Sequence, residues 1–186
     1  MFLQHGLPLF WSGAFGTYYE WRLPLLFNPE ITPAQIDEHF MVLALKEAEI
    51  AESREEIPIG AVVVLDNKVI GRGNNSNKTL QDPTAHAEMI AITAACNQAQ
   101  SRSLDKATLS VTVEPCCMCA GAIVLARLPR LVFGAKDPKA GACGSLFNIV
   151  QDPRLNHRVE VVSGVREFEC AALISAFFES IREKRK

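Results

Sequence analysis

Residues 109–126 read LSVTVEPCCMCAGAIVLA, and this stretch decides the fold class. The β-branched run from Leu109 to Val113 is typical of a strand, which ends at Glu114-Pro115. The alanine-rich run from Cys116 to Ala126 follows at once and favours a helix. A strand that passes directly into a helix predicts an α/β domain.

The flanking segments continue this alternation of strands and helices. Apolar spacing predicts helices at 32–55, 84–95 and 168–182, and strands at 61–65, 68–73, 131–133 and 159–162. Asp82-Pro83 is predicted to supply the N-cap and the first position of the second helix, after a loop over residues 74–81. Together these elements predict an α/β layered domain with a mixed central sheet.

The bulk composition excludes several classes of protein. The chain has 186 residues, 48% of them hydrophobic, which is enough for one continuous core. A net charge of -2 with 22% charged residues indicates neither disorder nor a strongly basic nucleic-acid binder. We expect one folded domain over residues 37–186, preceded by a poorly ordered extension of unknown role over residues 1–36.

The extension is apolar, but prolines and glycines break it well short of the ~20 residues that a membrane span needs. It also lacks the basic start of a secretory signal and the arginine-rich pattern of a transit peptide. The six cysteines therefore favour metal binding in a reducing compartment over disulfides. We expect a cytoplasmic protein without a membrane anchor.

Three residues form a candidate metal site. Cys116 and Cys119 are three apart, so a helix places them on one face, and the helix N-terminus favours their thiolate forms. His86 adds a nitrogen ligand, and this set suits one Zn²⁺ per subunit with the fourth tetrahedral position open for water. Cys117 is rotated off the shared face, which argues against a closed structural zinc site.

Glu88, two residues after His86, is the candidate proton carrier. A carboxylate beside the metal can accept a proton from water, deliver it to a ring nitrogen and later protonate a leaving amine. The combined H-x-E and P-C-x-x-C pattern matches the signature of zinc-dependent base deaminases. On an ideal helix, however, His86 and Glu88 would point to nearly opposite sides. The pair is therefore expected to lie in an irregular first turn, or the Glu88 side chain to curl back toward His86, and spacing alone does not distinguish the two.

The sequence resembles the bacterial-type tRNA adenosine deaminases, which convert the wobble adenosine of an anticodon to inosine. The likeness runs from about Asp37 to Arg182 and is closest in a few short blocks, of which the main ones are 58–62, 82–88, 114–122, 132–137, 144–146 and 156–159. It implies a three-layer α/β/α cytidine-deaminase-like fold with a five-stranded mixed central sheet. It also implies a homodimer, a tRNA anticodon stem-loop as substrate, and no organic cofactor.

The resemblance further implies five substrate contacts. Asn75 matches a base-contacting asparagine, Asp137 and Lys139 fall on a loop that borders the anticodon, and Phe178 and Arg182 fall on a flanking C-terminal helix. Taken without the resemblance, Asp137 also suits a turn, Phe178 suits a core, and the two basic residues suit an ordinary surface.

Two other functions fit parts of the pattern. A deaminase of a free base, guanine or cytosine, would use the same metal ligands, because substrate choice depends on pocket shape. The block Asn156-His157-Arg158 and the loop 137–145 favour tRNA over such a substrate. A noncatalytic, zinc-stabilised RNA-binding subunit would have no use for Glu88, so that residue favours an enzyme.

Overall fold

The computed structural model describes residues 31–184, so most of the predicted extension lies outside the described part of the chain. The first helix begins at Pro33 and is closed by a capping box. The Thr32 hydroxyl accepts a hydrogen bond from the Gln35 amide at 3.3 Å, and the Gln35 side chain accepts one from the Thr32 amide at 2.8 Å. The helix thus starts before residue 37, where the domain was expected to begin.

Helices and strands alternate along the described chain. In order they are α1 Pro33–Ser53, β1 Gly60–Leu65, β2 Lys68–Asn74, α2 Asn77–Leu80, α3 Ala87–Ala99, β3 Thr108–Val113, α4 Cys117–Leu125, β4 Arg130–Ala135, β5 Glu160–Ser163 and α5 Glu167–Lys184. Each strand predicted from the sequence is present. The short helix α2 replaces part of the predicted loop 74–81.

The strands form one sheet in the order β2-β1-β3-β4-β5. Strand β1 pairs antiparallel with both β2 and β3, whereas β3, β4 and β5 are parallel. The predicted five-stranded mixed sheet is therefore confirmed. The parallel half places the carboxyl ends of β3 and β4 at the same edge, and the predicted metal ligands Cys116 and Cys119 follow the end of β3 there.

Side chains alternate between the two faces of the sheet, and each face carries helices. On one face, β1 and β3 residues such as Val63 and Val111 pack against the buried alanines of α3 and against Ile123 of α4. On the other face, Val62 packs with Phe40 and other residues of α1, and Cys170 of α5 joins the same cluster. This arrangement confirms the three-layer α/β/α architecture. Within residues 31–184, none of the helices is long and apolar enough to cross a membrane.

The expected start of the second long helix was wrong. The Asp82 carboxylate accepts hydrogen bonds from the Thr84 amide at 2.8 Å and from the Thr84 hydroxyl at 2.7 Å. These bonds close a local turn, a common alternative use of aspartate, so Asp82 does not cap the helix. Helix α3 instead begins at Ala87, with His86 in extended conformation as its N-cap.

Two glycines of β2 allow α3 to lie directly on the sheet. A Cβ atom at Gly73 would come within 2.1 Å of the Ala87 carbonyl oxygen, and one at Gly71 within 2.3 Å of the Ala91 oxygen. Both contacts are to helix backbone, which cannot move aside as a side chain can. The first turn of α3, which carries Glu88, is therefore held close against β2.

Candidate functional site

Three predicted metal ligands come together at the starts of α3 and α4. The Nδ1 atom of His86 lies 3.6 Å from the Cys116 sulfur and 3.5 Å from the Cys119 sulfur. The two sulfurs are 3.8 Å apart. This His86, Cys116 and Cys119 group can hold a metal ion.

The spacing of these three atoms suits zinc. Zinc binds thiolate sulfur at about 2.3 Å and histidine nitrogen at about 2.0–2.1 Å in tetrahedral geometry. Those bond lengths require sulfur–sulfur separations of about 3.8 Å and nitrogen–sulfur separations of about 3.6 Å, so the donors lie close to three corners of a zinc tetrahedron. The donor set of one imidazole and two thiols is also one that zinc accepts in catalytic sites.

The start of α3 is fixed by bonds from the segment after β2. The Asn75 side-chain oxygen accepts a hydrogen bond from the Ala87 amide at 3.0 Å, and the Ser76 amide donates to the Ala85 oxygen at 3.0 Å. Both bonds flank His86. Hydrogen bonds to the residues before and after His86 therefore fix the backbone that carries its imidazole ring.

The cysteine pair is presented by the junction between β3 and α4. Cys116 is the N-cap of α4 in extended conformation, and Cys119 lies in the first turn, fully buried. Cys117, between them, is exposed to solvent. The predicted orientation of Cys117 away from the shared face is thus confirmed.

Hydrogen bonds within the group set the acidity of the two thiols. Bonds from Cys119 and His86 lower the pKa of Cys116 to about 3, despite the opposing effect of burial. The same bond to Cys116, together with burial, raises the pKa of Cys119. Cys116 is therefore the readier thiolate, the form in which cysteine binds metals.

Glu88 is the second residue of α3 and only 4% exposed. Burial raises the pKa of its carboxyl group, against the smaller effects of hydrogen bonding and of the His86 charge. Because His86 is the N-cap and not a helical residue, the opposite orientations expected on an ideal helix do not apply. His86 lies in extended conformation just before the first helical residue, Ala87, so the pair spans the N-cap and the first turn of α3.

Asn75 is 3% exposed and directly follows β2. Its Oδ1 atom is engaged by the Ala87 amide, as described above. The side-chain amide is therefore oriented, and its NH₂ group is the end left to donate to another molecule.

Three of the predicted substrate-contacting residues line one cavity. Lys139, Phe178 and Arg182 surround a space of about 330 Å³ together with Ile174, Ser175 and Glu179. The Phe178 ring is 40% exposed, while its neighbour Phe177 is buried and contacts it edge-on at 5.6 Å between ring centres. Phe178 is thus a surface residue and not the core residue that its helical spacing also allowed.

Asp137 forms a turn at the start of the loop between β4 and β5. Its Oδ1 atom accepts hydrogen bonds from the Lys139 amide at 2.9 Å and the Ala140 amide at 3.1 Å. The turn role considered from the sequence is therefore present. The second carboxylate oxygen is not used by these bonds.

The Asn156-His157-Arg158 block lies elsewhere. His157 Nε2 is 2.8 Å from the Leu128 carbonyl oxygen, just ahead of β4. That position is at the amino end of the parallel strands, whereas Cys116 follows the carboxyl end of β3. Within one protomer, the location of this block does not support its use as an argument for a tRNA substrate.

One acidic residue at the site was missed as a separate feature. Glu114, which the sequence indicates only as the end of a strand, is 3% exposed and accepts hydrogen bonds from the loop after β4. The available signal was an acidic residue directly before Pro115 and the two candidate ligands Cys116 and Cys119.

Comparison with known proteins identifies the family. The family model for MafB19-like deaminases matches residues 36–182. The tRNA-specific adenosine deaminase of Bacillus subtilis is 51% identical over 150 residues, which cover 81% of this chain and 93% of that protein.

Two solved structures agree with this relationship. One comes from studies of A-to-I editing by tRNA:A34 deaminases at the wobble position of transfer RNA; it is 49% identical, covers 73% of this chain and 98% of its own, and has a TM-score of 0.70. A guanine deaminase from Bacillus subtilis is 38% identical with a TM-score of 0.53, covering 58% of this chain and 69% of its own. The cytidine-deaminase-like fold is thereby confirmed. The chain belongs to the MafB19-like deaminases and to the family of tRNA-specific adenosine deaminases.

Proposed function

We propose that this protein catalyses the zinc-dependent hydrolysis of the wobble adenosine in a tRNA anticodon, which yields inosine and ammonia. The observation that carries the proposal is the buried carboxylate of Glu88 beside a three-ligand metal group, in a chain 51% identical to a tRNA-specific adenosine deaminase. The reaction consumes one water and releases the exocyclic amine.

His86, Cys116 and Cys119 would hold one Zn²⁺ per subunit. When bound, the ion supplies a Lewis acid that lowers the pKa of a water to about 7. Glu88 is placed to accept one proton from the attacking water and give it to N1 of the adenine ring. It would then accept the remaining proton of the hydroxyl added at C6 and give it to the exocyclic amine, which leaves as ammonia while the C6 carbonyl of inosine forms. Burial suits this work, because a raised pKa lets one carboxyl group act as both base and acid near neutral pH.

Asn75 is proposed to orient the base. Since the Ala87 amide occupies its Oδ1 atom, Asn75 offers its NH₂ group to an acceptor on the substrate. A purine ring nitrogen is such an acceptor. A donor at this point favours purines whose ring nitrogen facing Asn75 carries a free lone pair.

The cavity between the β4–β5 loop and α5 is proposed to hold the RNA strand next to the base. Lys139 and Arg182 supply positive charge for phosphates, and the exposed Phe178 ring supplies a surface on which a neighbouring base can stack. Asp137, the second residue of this loop, shapes its start through the turn described above. A protein with this substrate is expected in the cytoplasm.

The direct test is incubation with an anticodon stem-loop that carries adenosine at the wobble position, alongside free guanine and free cytosine. The parent protein should form inosine in the RNA with one ammonia released per inosine. Glu88→Gln should bind zinc like the parent but lower kcat by ~10²–10⁴-fold, the usual contribution of general acid–base catalysis. Parental turnover in that variant would exclude Glu88 as the proton carrier.

Guanine deamination is the second candidate, favoured by the 38% identity to a guanine deaminase. The lower structural similarity and coverage of that protein make it the weaker choice. Ammonia released from guanine, with the RNA unchanged, would select this alternative.

We also propose that the protein is a homodimer. An open groove of about 440 Å³ runs along the outer face of α3, lined by apolar residues that include Leu80, Met89, Ile90 and Ala94. The Leu80 side chain is 59% exposed. A second copy of the chain would cover this apolar surface.

A further inference from the structure

The loop between β4 and β5 is attached to a single buried carboxylate. Glu114 Oε1 accepts hydrogen bonds from the Cys143 amide at 3.0 Å and the Ser145 amide at 2.9 Å. Its Oε2 accepts one from the Asp137 amide at 3.2 Å and another from the Ser145 hydroxyl. Both oxygens are therefore used, and each of these donors belongs to the loop.

The chain passes very close to this carboxylate. A Cβ atom at Gly141 would lie 2.5 Å from the carboxyl carbon of Glu114 and 2.5 Å from the Asp137 oxygen. Only glycine leaves room for the loop to wrap around the acid at this distance. Since Glu114 is 3% exposed, water has little access to replace the loop as a donor.

The same side chain adjoins the metal ligands in sequence. Glu114 is followed by Pro115 and then Cys116, and the Ala142 amide donates to the Pro115 oxygen at 2.8 Å. Cys116 itself forms an isolated antiparallel bridge with Gly141. The β3–α4 junction and the loop are thus joined at adjacent points.

The loop also carries groups of the RNA cavity. Asp137, held by Glu114 through its amide, in turn holds the Lys139 amide. Lys139 lines the cavity with Phe178 and Arg182. A chain of direct bonds therefore runs from Glu114 to one wall of the cavity.

We propose that Glu114 is a positioning residue that fixes residues 137–145 relative to Cys116, and so sets where the RNA strand lies when its base reaches the metal group. The inference rests on the proposed tRNA function. Glu114 acts through the loop and takes no part in proton transfer.

The test is Glu114→Gln, which keeps the size of the side chain but turns one acceptor oxygen into a donor. Loss of one hydrogen bond to a charged acceptor, about 1.5–3 kcal/mol, corresponds to a change of about 10–150-fold, since about 1.4 kcal/mol is a factor of ten. We expect KM for the anticodon stem-loop to rise by about that factor, with kcat and zinc content close to parental values. Amide hydrogen exchange over residues 137–145 should become faster.

Two further variants separate positioning from general stability. Ser145→Ala removes one of the donors to Glu114 and should give the same split between KM and kcat with a smaller rise in KM. Asp37→Asn weakens a buried ion pair with Arg130 at the amino end of β4, away from the loop. That variant should melt at a lower temperature than the parent without a change in KM.

A parental KM in zinc-loaded Glu114→Gln would overturn the proposal, as would an equal rise in Asp37→Asn. If Glu114→Gln does not fold, Ser145→Ala carries the test, and a parental KM and parental exchange rates in that variant would overturn it. A parent protein that leaves the stem-loop unchanged would contradict the proposed function instead. In that case the exchange rates still decide whether Glu114 holds the loop.

Discussion

At the scale of single residues, the proposed metal ligands and the proposed proton carrier lie at the starts of two helices, α3 and α4. The N-caps His86 and Cys116, together with Cys119, are the proposed metal ligands, whereas Glu88, the second residue of α3, is the proposed proton carrier and is buried. An N-cap is not bound by helical geometry, so its side chain can point where a following helical residue could not. Metal binding and proton transfer can therefore be tested separately.

Metal binding should depend on Cys116 but not on its neighbour Cys117. Cys116→Ala removes a ligand and should reduce bound zinc well below one ion per chain, measured by mass spectrometry of the metal. Cys117→Ala is the matched control, because that thiol is exposed and outside the ligand group. Equal zinc loss in both variants would exclude the proposed ligand set.

Glu56 should make stability depend on pH. Its buried carboxylate accepts hydrogen bonds from the Thr79 amide at 2.7 Å and hydroxyl at 2.9 Å. Burial would raise the pKa of Glu56, but these bonds, that from the Lys78 amide and the charge of Lys78 together lower it. A lowered pKa in the folded state stabilises the protein above the unfolded-state pKa of about 4.3, and the effect is lost as the pH falls through the folded-state value.

Glu56→Gln should therefore reduce the free energy of unfolding by about 1–3 kcal/mol at neutral pH, and by progressively less as the pH falls below about 4. Denaturant unfolding over this pH range measures the difference. Glu49→Gln, at an exposed position of helix α1, should show little difference from the parent at any of these pH values. A deficit in Glu56→Gln that stays constant with pH would refute the assignment.

The site residues differ in how far the sequence could predict them. His86, Glu88, Cys116 and Cys119 fall in short motifs, so their spacing carries the information. Glu114 receives its partners from residues 137–145, which are brought to it only by the parallel pairing of β3 and β4. A short sequence motif cannot indicate a contact between residues so far apart in the chain.

At the scale of elements, local sequence patterns predict most of the strands and helices, but they do not always predict where a helix begins. The Asp82-Pro83 pair suits an N-cap as well as a turn, and only the hydrogen bonds of Asp82 to Thr84 decide for the turn. Likewise the short α2 contains no apolar repeat from which it could be predicted. The hydrogen bonds of individual residues therefore determine where a helix begins, which the apolar periodicity of the sequence does not specify.

The packing of α3 on β2 should be sensitive to one added methyl group. Gly73→Ala would place a carbon 2.1 Å from the Ala87 oxygen and 2.6 Å from the Ala91 nitrogen, so the helix must shift. Such overpacking typically costs about 1–3 kcal/mol, and here it also displaces the first turn that carries Glu88. We expect a lower melting temperature and a lower kcat.

Gly121→Ala is the control for this change. Gly121 lies within α4, and a Cβ atom there would meet no other heavy atom within 4 Å. Replacing a helical glycine by alanine should leave stability unchanged or raise it by up to about 1 kcal/mol. If Gly73→Ala melts like Gly121→Ala, the close approach of α3 to β2 is not a constraint.

At the scale of the whole molecule, the mixed sheet was predictable from its elements, whereas the strand order was not. Strand β3 pairs with β1 and not with β2, which precedes it in sequence, because the segment containing α3 crosses the sheet between them. No local pattern specifies that pairing. The division between residues 1–36 and 37–186 stays a prediction, since the structure describes the chain only from residue 31.

The proposed dimer can be tested by light scattering during gel filtration. The parent should have twice the chain mass of 20.5 kDa. Leu80→Glu and Thr93→Arg place charge in the groove along α3 and should shift the protein toward monomer. Phe168→Glu changes an 85% exposed apolar residue of α5, on the opposite side of the sheet, and should stay dimeric. A monomeric parent, or dissociation by the α5 variant alone, would rule out this interface.

The separation of the proposed metal ligands along the chain also bears on how the protein folds. His86 lies 30 residues from Cys116 and 33 from Cys119, and β3 must insert beside β1 before the imidazole can reach the sulfurs. In a nascent or partly folded chain, only Cys116 and Cys119 are close enough together to bind an ion, and two sulfur ligands bind it weakly. Binding by all three ligands is therefore a late event in folding. The appearance of the absorption spectrum of bound cobalt, used in place of zinc during refolding, would then show when the central sheet is complete.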